Sequence, residues 1–84
     1  MTWSVYALKS LKDGNLYIGL SSDPIRRVKE HNAGQCASTK GRGPFIMIYQ
    51  EECGTSRIDA RKREKYLKSG IGREFLKNII NPGV

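Results

Sequence analysis

A hairpin signal near the N-terminus constrains the fold of this chain more than any other feature. Two segments rich in β-forming residues, 3–10 and 16–21, flank the turn-forming run Lys12-Asp13-Gly14-Asn15. Asp-Gly readily adopts the positive φ angles of a tight turn, so the two segments should pair as antiparallel strands. With Asp13-Gly14 at the centre of the turn, Tyr6 and Tyr17 share one face, about 13 Å apart along the strands. A longer loop would bring them closer.

A short helix is predicted directly after the second strand. Asp23 is a good N-cap, the following proline suits a first helical position, and Gly34 ends the helix after about residue 32. Ile25 and Val28 are expected to contact the core. The helix therefore follows the hairpin closely and should pack against it.

This helix also carries two of four residues that suit phosphodiester chemistry. Arg27 and His31 lie four residues apart, on a neighbouring face of the helix. Together with Tyr6 and Tyr17 they fall within 26 residues, and His31 is the only histidine of the chain. The hairpin and helix should aim all four side chains at one surface.

The rest of the chain predicts one more strand and two more helices. Residues 45–49 are apolar on both faces and should form the central strand, ended by Glu51-Glu52 as solvated acids. Ser56 can cap a helix that runs to Ser69, and a last helix should run from Arg73 to about residue 80. Its docking side chains would be Phe75, Leu76 and Ile79. Residues 1–84 are thus predicted to form a single domain of the α+β class, a three-stranded antiparallel sheet flanked by helices.

Composition narrows the kind of partner and the compartment. Fifteen lysines and arginines against eight acidic residues give a net charge of +7, which favours a polyanionic partner, most commonly nucleic acid. Cys36 and Cys53 lie too far apart for a paired zinc knuckle, and we expect both to be reduced thiols. The apolar run 3–8 is too short for a signal peptide or a membrane span. We therefore expect a cytoplasmic protein without a membrane partner.

The second predicted helix turns one acid partly inward. Ala60, Glu64 and Leu67 follow the i, i+4, i+7 rule and share one face. An ionised carboxylate beside an apolar stripe needs a partner. That partner is either Lys68, in an ordinary intrahelical ion pair, or a metal ion. The helix is otherwise strongly basic, with Arg57, Arg61, Lys62, Arg63, Lys65 and Lys68.

Taken together, these residues resemble the GIY-YIG nuclease family. Its first motif appears as Val5-Tyr6-Ala7, with both flanking residues changed and the tyrosine kept, and its second appears intact as Tyr17-Ile18-Gly19. Arg27 follows Tyr17 by ten residues and His31 by fourteen, and Glu64 matches the family's metal-binding glutamate. The similarity covers nearly the whole chain. It is greatest to the small stand-alone bacterial members related to the N-terminal nuclease domain of the excinuclease C subunit.

The resemblance implies one-metal hydrolysis of a phosphodiester. Glu64 would hold Mg²⁺ or Mn²⁺, with water at most other positions. Arg27 would bind a non-bridging phosphate oxygen with its fork of donors. Tyr6 is our preferred general base, although Tyr17 remains an alternative. Tyr17 and His31 would then position water or phosphate.

Other positions complete the expected site. Gly19 is predicted to allow close approach of backbone. Leu20 stands where some relatives carry a lysine. For an asparagine that follows the family's glutamate helix, Asn78 is the nearest candidate and Asn81 the next. The predicted contacts to nucleic acid are Lys40, Arg42, Arg61 and Lys68.

Three functions remain open at this level. The leading one is a metal-dependent DNA endonuclease that acts on damaged, branched or single-stranded substrate, in repair or recombination. Because 84 residues leave no room for a separate sequence-reading domain, specificity should come from DNA structure or from a protein partner. The alternatives are a non-catalytic nucleic-acid-binding domain and a domain that recruits a repair factor.

Overall fold

An antiparallel sheet of three strands, in the order β2-β1-β3, forms the centre of the fold. In the computed structural model, which describes residues 1–35 and 40–80, the strands are β1 (Ser4–Ser10), β2 (Leu16–Ser21) and β3 (Phe45–Glu52). The helices are α1 (Pro24–Asn32), α2 (Arg57–Lys68) and α3 (Gly70–Ile80). The predicted α+β class and the three-stranded sheet are confirmed. Cys36 and Asn81 lie outside the described residues.

The central strand is β1, so the prediction that β3 is central is wrong. Every residue of β1 from Ser4 to Leu8 is buried, which is the pattern of a strand covered on both faces. In β3 only Phe45 is buried, and Ile46 is 45% exposed. The apolar run at the start of β3 therefore belongs to an edge strand. The strand also extends through Glu51-Glu52 instead of ending before them.

The observed register of the hairpin differs from the predicted one by two residues. Tyr6 lies opposite Gly19 and Leu8 opposite Tyr17, where a two-residue turn would have placed Ser10 opposite Tyr17. The loop is longer than two residues, as shown by the Ser10 amide, which donates to the Asn15 carbonyl at 2.9 Å. Since the shift is an even number of residues, the two tyrosines keep a common face. They become diagonal neighbours, and the predicted 13 Å separation is wrong.

The two faces of the sheet are covered by different helices. On one face, α2 and α3 supply Ala60, Leu67 and Leu76 to a core with Val5 and Ile18. On the other face, α1 packs against all three strands, over a second core built on Tyr6, Leu8 and Phe45. No helix of the described part of the chain is long and apolar enough to span a membrane.

Helix α1 presents a different side chain to the core than predicted. Its Asp23 cap is confirmed, since the carboxylate accepts the Arg26 amide at 3.2 Å. Val28 packs against the second core, but Ile25 is 63% exposed, so its predicted core contact is wrong. The inward face is instead the one that carries His31, which is 1% exposed.

Candidate active site

A buried hydrogen bond between Tyr6 and His31 forms the centre of the candidate site. The Tyr6 hydroxyl and the His31 Nε2 are 3.2 Å apart, and each residue is only 1% exposed. Tyr6 comes from the central strand and His31 from the last turn of α1, so the bond joins the helix to the sheet. A buried phenol needs such a partner, because an unpaired hydroxyl in the interior is costly.

Tyr17 lies at the outer side of this pair. Its ring meets the His31 ring edge-on, with centroids 4.8 Å apart, and its side chain packs against the second core. The residue is half-buried, and it stands on β2, an edge strand of the sheet. Of the two tyrosines, Tyr17 is therefore the one that solvent reaches.

Gly19 makes room for the Tyr6 side chain. A Cβ on Gly19 would stand 2.7 Å from the Tyr6 hydroxyl oxygen and 2.8 Å from Cζ. It would also lie 3.4 Å from Cε1 of Tyr17. The glycine of the second motif thus lets a phenol lie directly across the strand.

The surroundings keep His31 neutral at physiological pH. Burial lowers the pKa of His31 below its usual 6.5, and the positive charge of Arg27 acts in the same direction, against a smaller opposing effect of Glu30. A neutral imidazole has one nitrogen able to accept a proton. His31 can therefore either orient the Tyr6 hydroxyl or take its proton.

Asn32, which the sequence analysis missed, holds this end of α1 against β3. Its amide nitrogen donates to the Phe45 carbonyl at 3.2 Å, and its amide oxygen accepts the Phe45 backbone N–H at 2.7 Å. The side chain thus pairs with the first residue of β3 as a neighbouring strand would. It fixes the helical turn in which His31 lies.

Arg27 lies on the same side of α1 as His31, one turn earlier. Its guanidinium forms an ion pair with Glu30 at 2.8 Å, and about a third of the side chain (34%) is exposed. Arg26 also approaches Glu30, at 3.8 Å. Two cations therefore share the Glu30 carboxylate. The Arg27 guanidinium is exposed enough to bind an anion from solution.

Glu64 belongs to the other side of the sheet. It is 8% exposed on α2, whose buried face also carries Ala60 and Leu67. Its carboxylate faces the Lys68 ammonium at 3.4 Å, which is the intrahelical ion pair expected from the spacing. Both α1 and α2 contact β2. The two helices thus reach the same edge strand from opposite faces of the sheet.

The donor set suits at most a sparsely ligated metal. No group of three or more His, Cys, Asp or Glu side chains capable of holding a metal occurs within residues 1–35 and 40–80. Among the described residues, Glu64 is the one buried carboxylate, and a single carboxylate plus water is compatible with Mg²⁺. The Lys68 side chain is half exposed (50%), so its ammonium can leave the carboxylate without disturbing the core.

The predicted contacts to nucleic acid lie in the loop before β3 and on α2. Lys40, Arg61 and Asn78 are exposed. Arg42 forms an ion pair with Asp13 at 3.4 Å, and its carbonyl accepts the Ser10 hydroxyl at 2.6 Å. Arg42 thus closes the 40s loop onto the hairpin.

A polar network on β3 and α2 was also missed. Arg63 binds Glu51 through two hydrogen bonds, of 2.8 Å and 3.0 Å. The Tyr49 hydroxyl donates to the same carboxylate at 2.5 Å, and the Arg63 guanidinium lies 4.9 Å from the centre of the Tyr66 ring. The prediction that Glu51 is a solvated acid is therefore wrong. Sequence spacing carries no signal for this pair, because the two residues are joined only by the packing of α2 on the sheet.

The chain matches one family model and a group of known relatives. A family model described as the GIY-YIG catalytic domain matches residues 2–77. A UPF0213 protein of Staphylococcus aureus is 44% identical over 76 residues, which cover 89% of this chain and 90% of the relative. A UPF0213 protein of Aeromonas salmonicida is 38% identical over 79 residues, and there the match spans only 56% of the relative's length.

The fold is shared with a solved structure. The solution NMR structure of a UPF0213 protein from Bacillus halodurans superposes with a TM-score of 0.55 at 34% sequence identity. The match covers 99% of this chain and 88% of that one. The two motif tyrosines, the arginine and histidine of α1 and the glutamate of α2 are thus carried on the expected scaffold. This chain belongs to the GIY-YIG family, a family of nuclease domains, and its relatives are the small UPF0213 proteins.

Proposed function

We propose that this chain is a divalent-metal-dependent endonuclease that hydrolyses DNA phosphodiester bonds at the β2 edge. The observation that carries the proposal is the convergence on β2 of two helices from opposite faces of the sheet. Helix α1 brings Arg27 and His31, and helix α2 brings Glu64. The strand between them supplies Tyr17. Membership in a nuclease family supports the reaction class.

Arg27 is the proposed phosphate-binding group. Its planar fork of donors suits two oxygens of one phosphate, and in the free protein Glu30 occupies that fork at 2.8 Å. A bound phosphate would compete with the Glu30 carboxylate for the same N–H groups. Because the pair is partly exposed, this exchange costs little.

Tyr17 is the proposed contact for the attacking water. A general base must come within hydrogen-bonding reach of the proton that it removes. Tyr6 is 1% exposed, whereas Tyr17 is half-buried at the sheet edge. We therefore assign the water to Tyr17 and give the Tyr6–His31 pair the role of holding the Tyr17 ring. This differs from the preference for Tyr6 that the resemblance suggested.

Glu64 is the proposed ligand of Mg²⁺ or Mn²⁺. A bound ion would supply charge stabilisation for the pentavalent phosphate and the leaving oxygen. In the free protein Lys68 neutralises the carboxylate, and its displacement would leave Glu64 available as an anionic ligand. Lys68 would then be free to contact a neighbouring phosphate.

Plasmid nicking tests the proposal. Wild type should convert supercoiled plasmid to the nicked form with Mg²⁺ or Mn²⁺, and Glu64→Ala should lose at least about 100-fold of that rate. Glu74→Ala, which removes an exposed acid of α3, is the matched control and should behave as wild type. Equal nicking by wild type and Glu64→Ala would sink the enzyme assignment.

Two tyrosine variants test the assignment of the base. Tyr17→Phe should lower the nicking rate much more than Tyr6→Phe, since only Tyr17 meets water in the proposal. A loss with Tyr6→Phe as large as that with Tyr17→Phe would restore Tyr6 as the base. Circular dichroism of both variants checks that the fold persists.

The substrate is proposed to be branched, damaged or single-stranded DNA, in a repair or recombination setting. Contacts from cations to phosphates carry no sequence information. Selectivity would then come from DNA structure or from a protein partner. Nicking rates on a fork, an abasic duplex and an intact duplex of the same sequence measure this preference directly.

One observation favours a second function, a nucleic-acid-binding domain without catalysis. Glu64 is already paired with Lys68, and the described residues offer no richer set of metal ligands. This alternative expects salt-dependent DNA binding that survives Glu64→Ala, together with no nicking under any divalent ion.

A further inference from the structure

We propose that the outward side of α2 is a second contact surface for a nucleic-acid backbone, separate from the cleavage site. The surface, which we call the basic flank, is formed by four cations around one isoleucine: Arg57, Ile58, Arg61, Lys62 and Lys65. These five side chains line a groove of about 340 Å³. All five residues are exposed.

The cations of the basic flank are not neutralised by the rest of the described chain. Arg61, Lys62 and Lys65 form no ion pair with any residue in 1–35 or 40–80, and Arg57 lies over the Trp3 ring, 5.5 Å from its centre. On the same helix, by contrast, Arg63 is bound by an acid. Uncompensated charge on neighbouring turns of one helix raises the local potential and attracts a polyanion.

The basic flank adjoins Glu64 and lies away from the Glu51 network. At 100° per residue, Arg57 and Arg61 follow Glu64 around the helix, whereas Arg63 points to the opposite flank, towards β3. One side of α2 is thus tied to the sheet, and the other borders the proposed cleavage edge. A strand that passes Glu64 would meet the basic flank next.

The length of the basic flank matches a short stretch of backbone. From Arg57 to Lys65 the helix rises about 12 Å, which corresponds to roughly three to four nucleotides of one strand at 3.4 Å each. Cations on successive turns can therefore contact successive phosphates. This register needs no base contact, so the surface should be indifferent to sequence.

Nucleic acid fits the basic flank better than an anionic lipid surface does. Ile58 is 72% exposed, but it is the only apolar residue in the groove, and a membrane-surface helix needs a continuous apolar face. The choice of nucleic acid over other polyanions rests on the proposed function. The existence of a polyanion site does not.

A charge placed inside the groove tests the inference. Ile58→Glu introduces a carboxylate among the four cations, and Ile71→Glu makes the same change at a residue of α3 that is equally exposed, 72%. Binding of a fluorescent DNA duplex is measured by anisotropy in EDTA, between 50 and 300 mM salt. The new carboxylate should cancel about one phosphate contact. Ile58→Glu should therefore bind the duplex about eightfold more weakly than wild type at 0.1 M salt, and the slope of log K against log salt should fall by about 0.9. Ile71→Glu should bind nearly as wild type.

A second pair of variants removes the cations themselves. Changing Arg61, Lys62 and Lys65 to Gln should reduce the salt slope by about 2.7, as expected for three lost contacts. The matched control changes Lys9, Lys29 and Lys77 to Gln and so has the same net charge. Equal losses in the two triple variants, or in the two glutamate variants, would overturn the inference. The inference would also be overturned if wild type sedimented with anionic vesicles but did not bind DNA.

The outcome is separable from that of the proposed function. Binding in EDTA requires no cleavage, so an inactive protein can still show the basic flank. Conversely, Ile71→Glu, which lies outside the basic flank and outside the proposed cleavage site, should nick DNA at the wild-type rate. Normal nicking with unchanged DNA affinity in Ile58→Glu would remove the basic flank and leave the endonuclease assignment in place.

Discussion

The hydroxyl oxygen of Tyr6 lies 2.7 Å from the point where a Cβ would stand on Gly19, its cross-strand partner. The smallest side chain at residue 19 would therefore meet a buried phenol that is already hydrogen-bonded to His31. The second motif requires its glycine because of the tyrosine of the first motif. Two signatures that are separate in the sequence are a single packing contact in the fold.

Gly19→Ala should destabilise the protein and disturb the site together. The added methyl cannot be accommodated by a flexible side-chain end, because Tyr6 is 1% exposed, so we expect a loss of about 1–3 kcal/mol in the free energy of unfolding. Urea denaturation measures it. Gly70→Ala is the control: a Cβ there meets nothing within 4 Å, and its stability should be equal to wild type or greater.

The stability of the protein should fall as the pH drops below about 6.5, in a manner that depends on His31. Burial, and secondly Arg27, lower the pKa of His31 from 6.5, so the unfolded chain binds the proton before the folded one does. The contribution of neutral His31 is complete above that pH and is lost between 6.5 and the lower folded pKa. Urea titrations of wild type and His31→Gln from pH 8 to 5 test this. Parallel curves would contradict it.

Asn32→Ala should cost more than an exposed asparagine normally does. It removes both bonds to the Phe45 backbone and leaves a part-buried N–H and C=O without their partner, which we expect to cost about 1–3 kcal/mol. Asn32→Asp keeps the acceptor and should lose less. Asn78→Ala, at an exposed position of α3, should be neutral within about 0.5 kcal/mol. Thermal denaturation ranks the three variants.

The Arg63–Glu51 contact should show a measurable coupling energy. Two hydrogen bonds join the side chains, but about a third of each is exposed, so we expect a coupling of about 1 kcal/mol in a double-mutant cycle with Arg63→Met and Glu51→Gln. A coupling near zero would show that the contact only fills space. The control is the same cycle with Arg61→Met in place of Arg63→Met, because Arg61 lies on the same helix and forms no ion pair with a described residue.

The same contact predicts acid sensitivity. Burial acts to raise the pKa of Glu51, but the hydrogen bonds from Tyr49 and Arg63 outweigh it, and the pKa lies below 4.5. The stabilisation is therefore present above that pH and is lost as the pH falls through the lower folded value. Glu51→Gln should remove this part of the acid transition.

The sequence predicted the elements that carry local signals. The Asp23 cap, the turn at Gly34 with φ +75° and the Ser56 cap all depend on neighbouring residues, and the structure has them. The start of α3 was placed too late, at Arg73, because Gly70 and Gly72 are poor helix formers. Packing decides there: a Cβ on Gly72 would overlap the Tyr66 carbonyl oxygen, so only glycine allows this helix contact.

Features that depend on residues distant in the sequence could not be predicted from local patterns. Whether β3 is central cannot be read from its apolar run, since burial depends on which strand joins which edge. Likewise, the spacing of Ala60, Glu64 and Leu67 predicted that Glu64 turns inward, which is confirmed at 8% exposure. It could not show that Glu64 and Tyr6 belong to opposite faces of the sheet. That follows only from the way the helices cover it.

The first strand of the chain is the middle strand of the sheet, and this determines the order in which the strands can pair during synthesis. On the ribosome, β1 and β2 can pair as soon as residue 21 has emerged, but the second edge of β1 has no partner until β3, ending at Glu52, follows. The nascent hairpin therefore presents an open edge to other chains during that interval. Phe45, whose ring lies 6.1 Å from that of His31, arrives with β3. This interval precedes the completion of the site, and slow decoding between the two strands should favour aggregation.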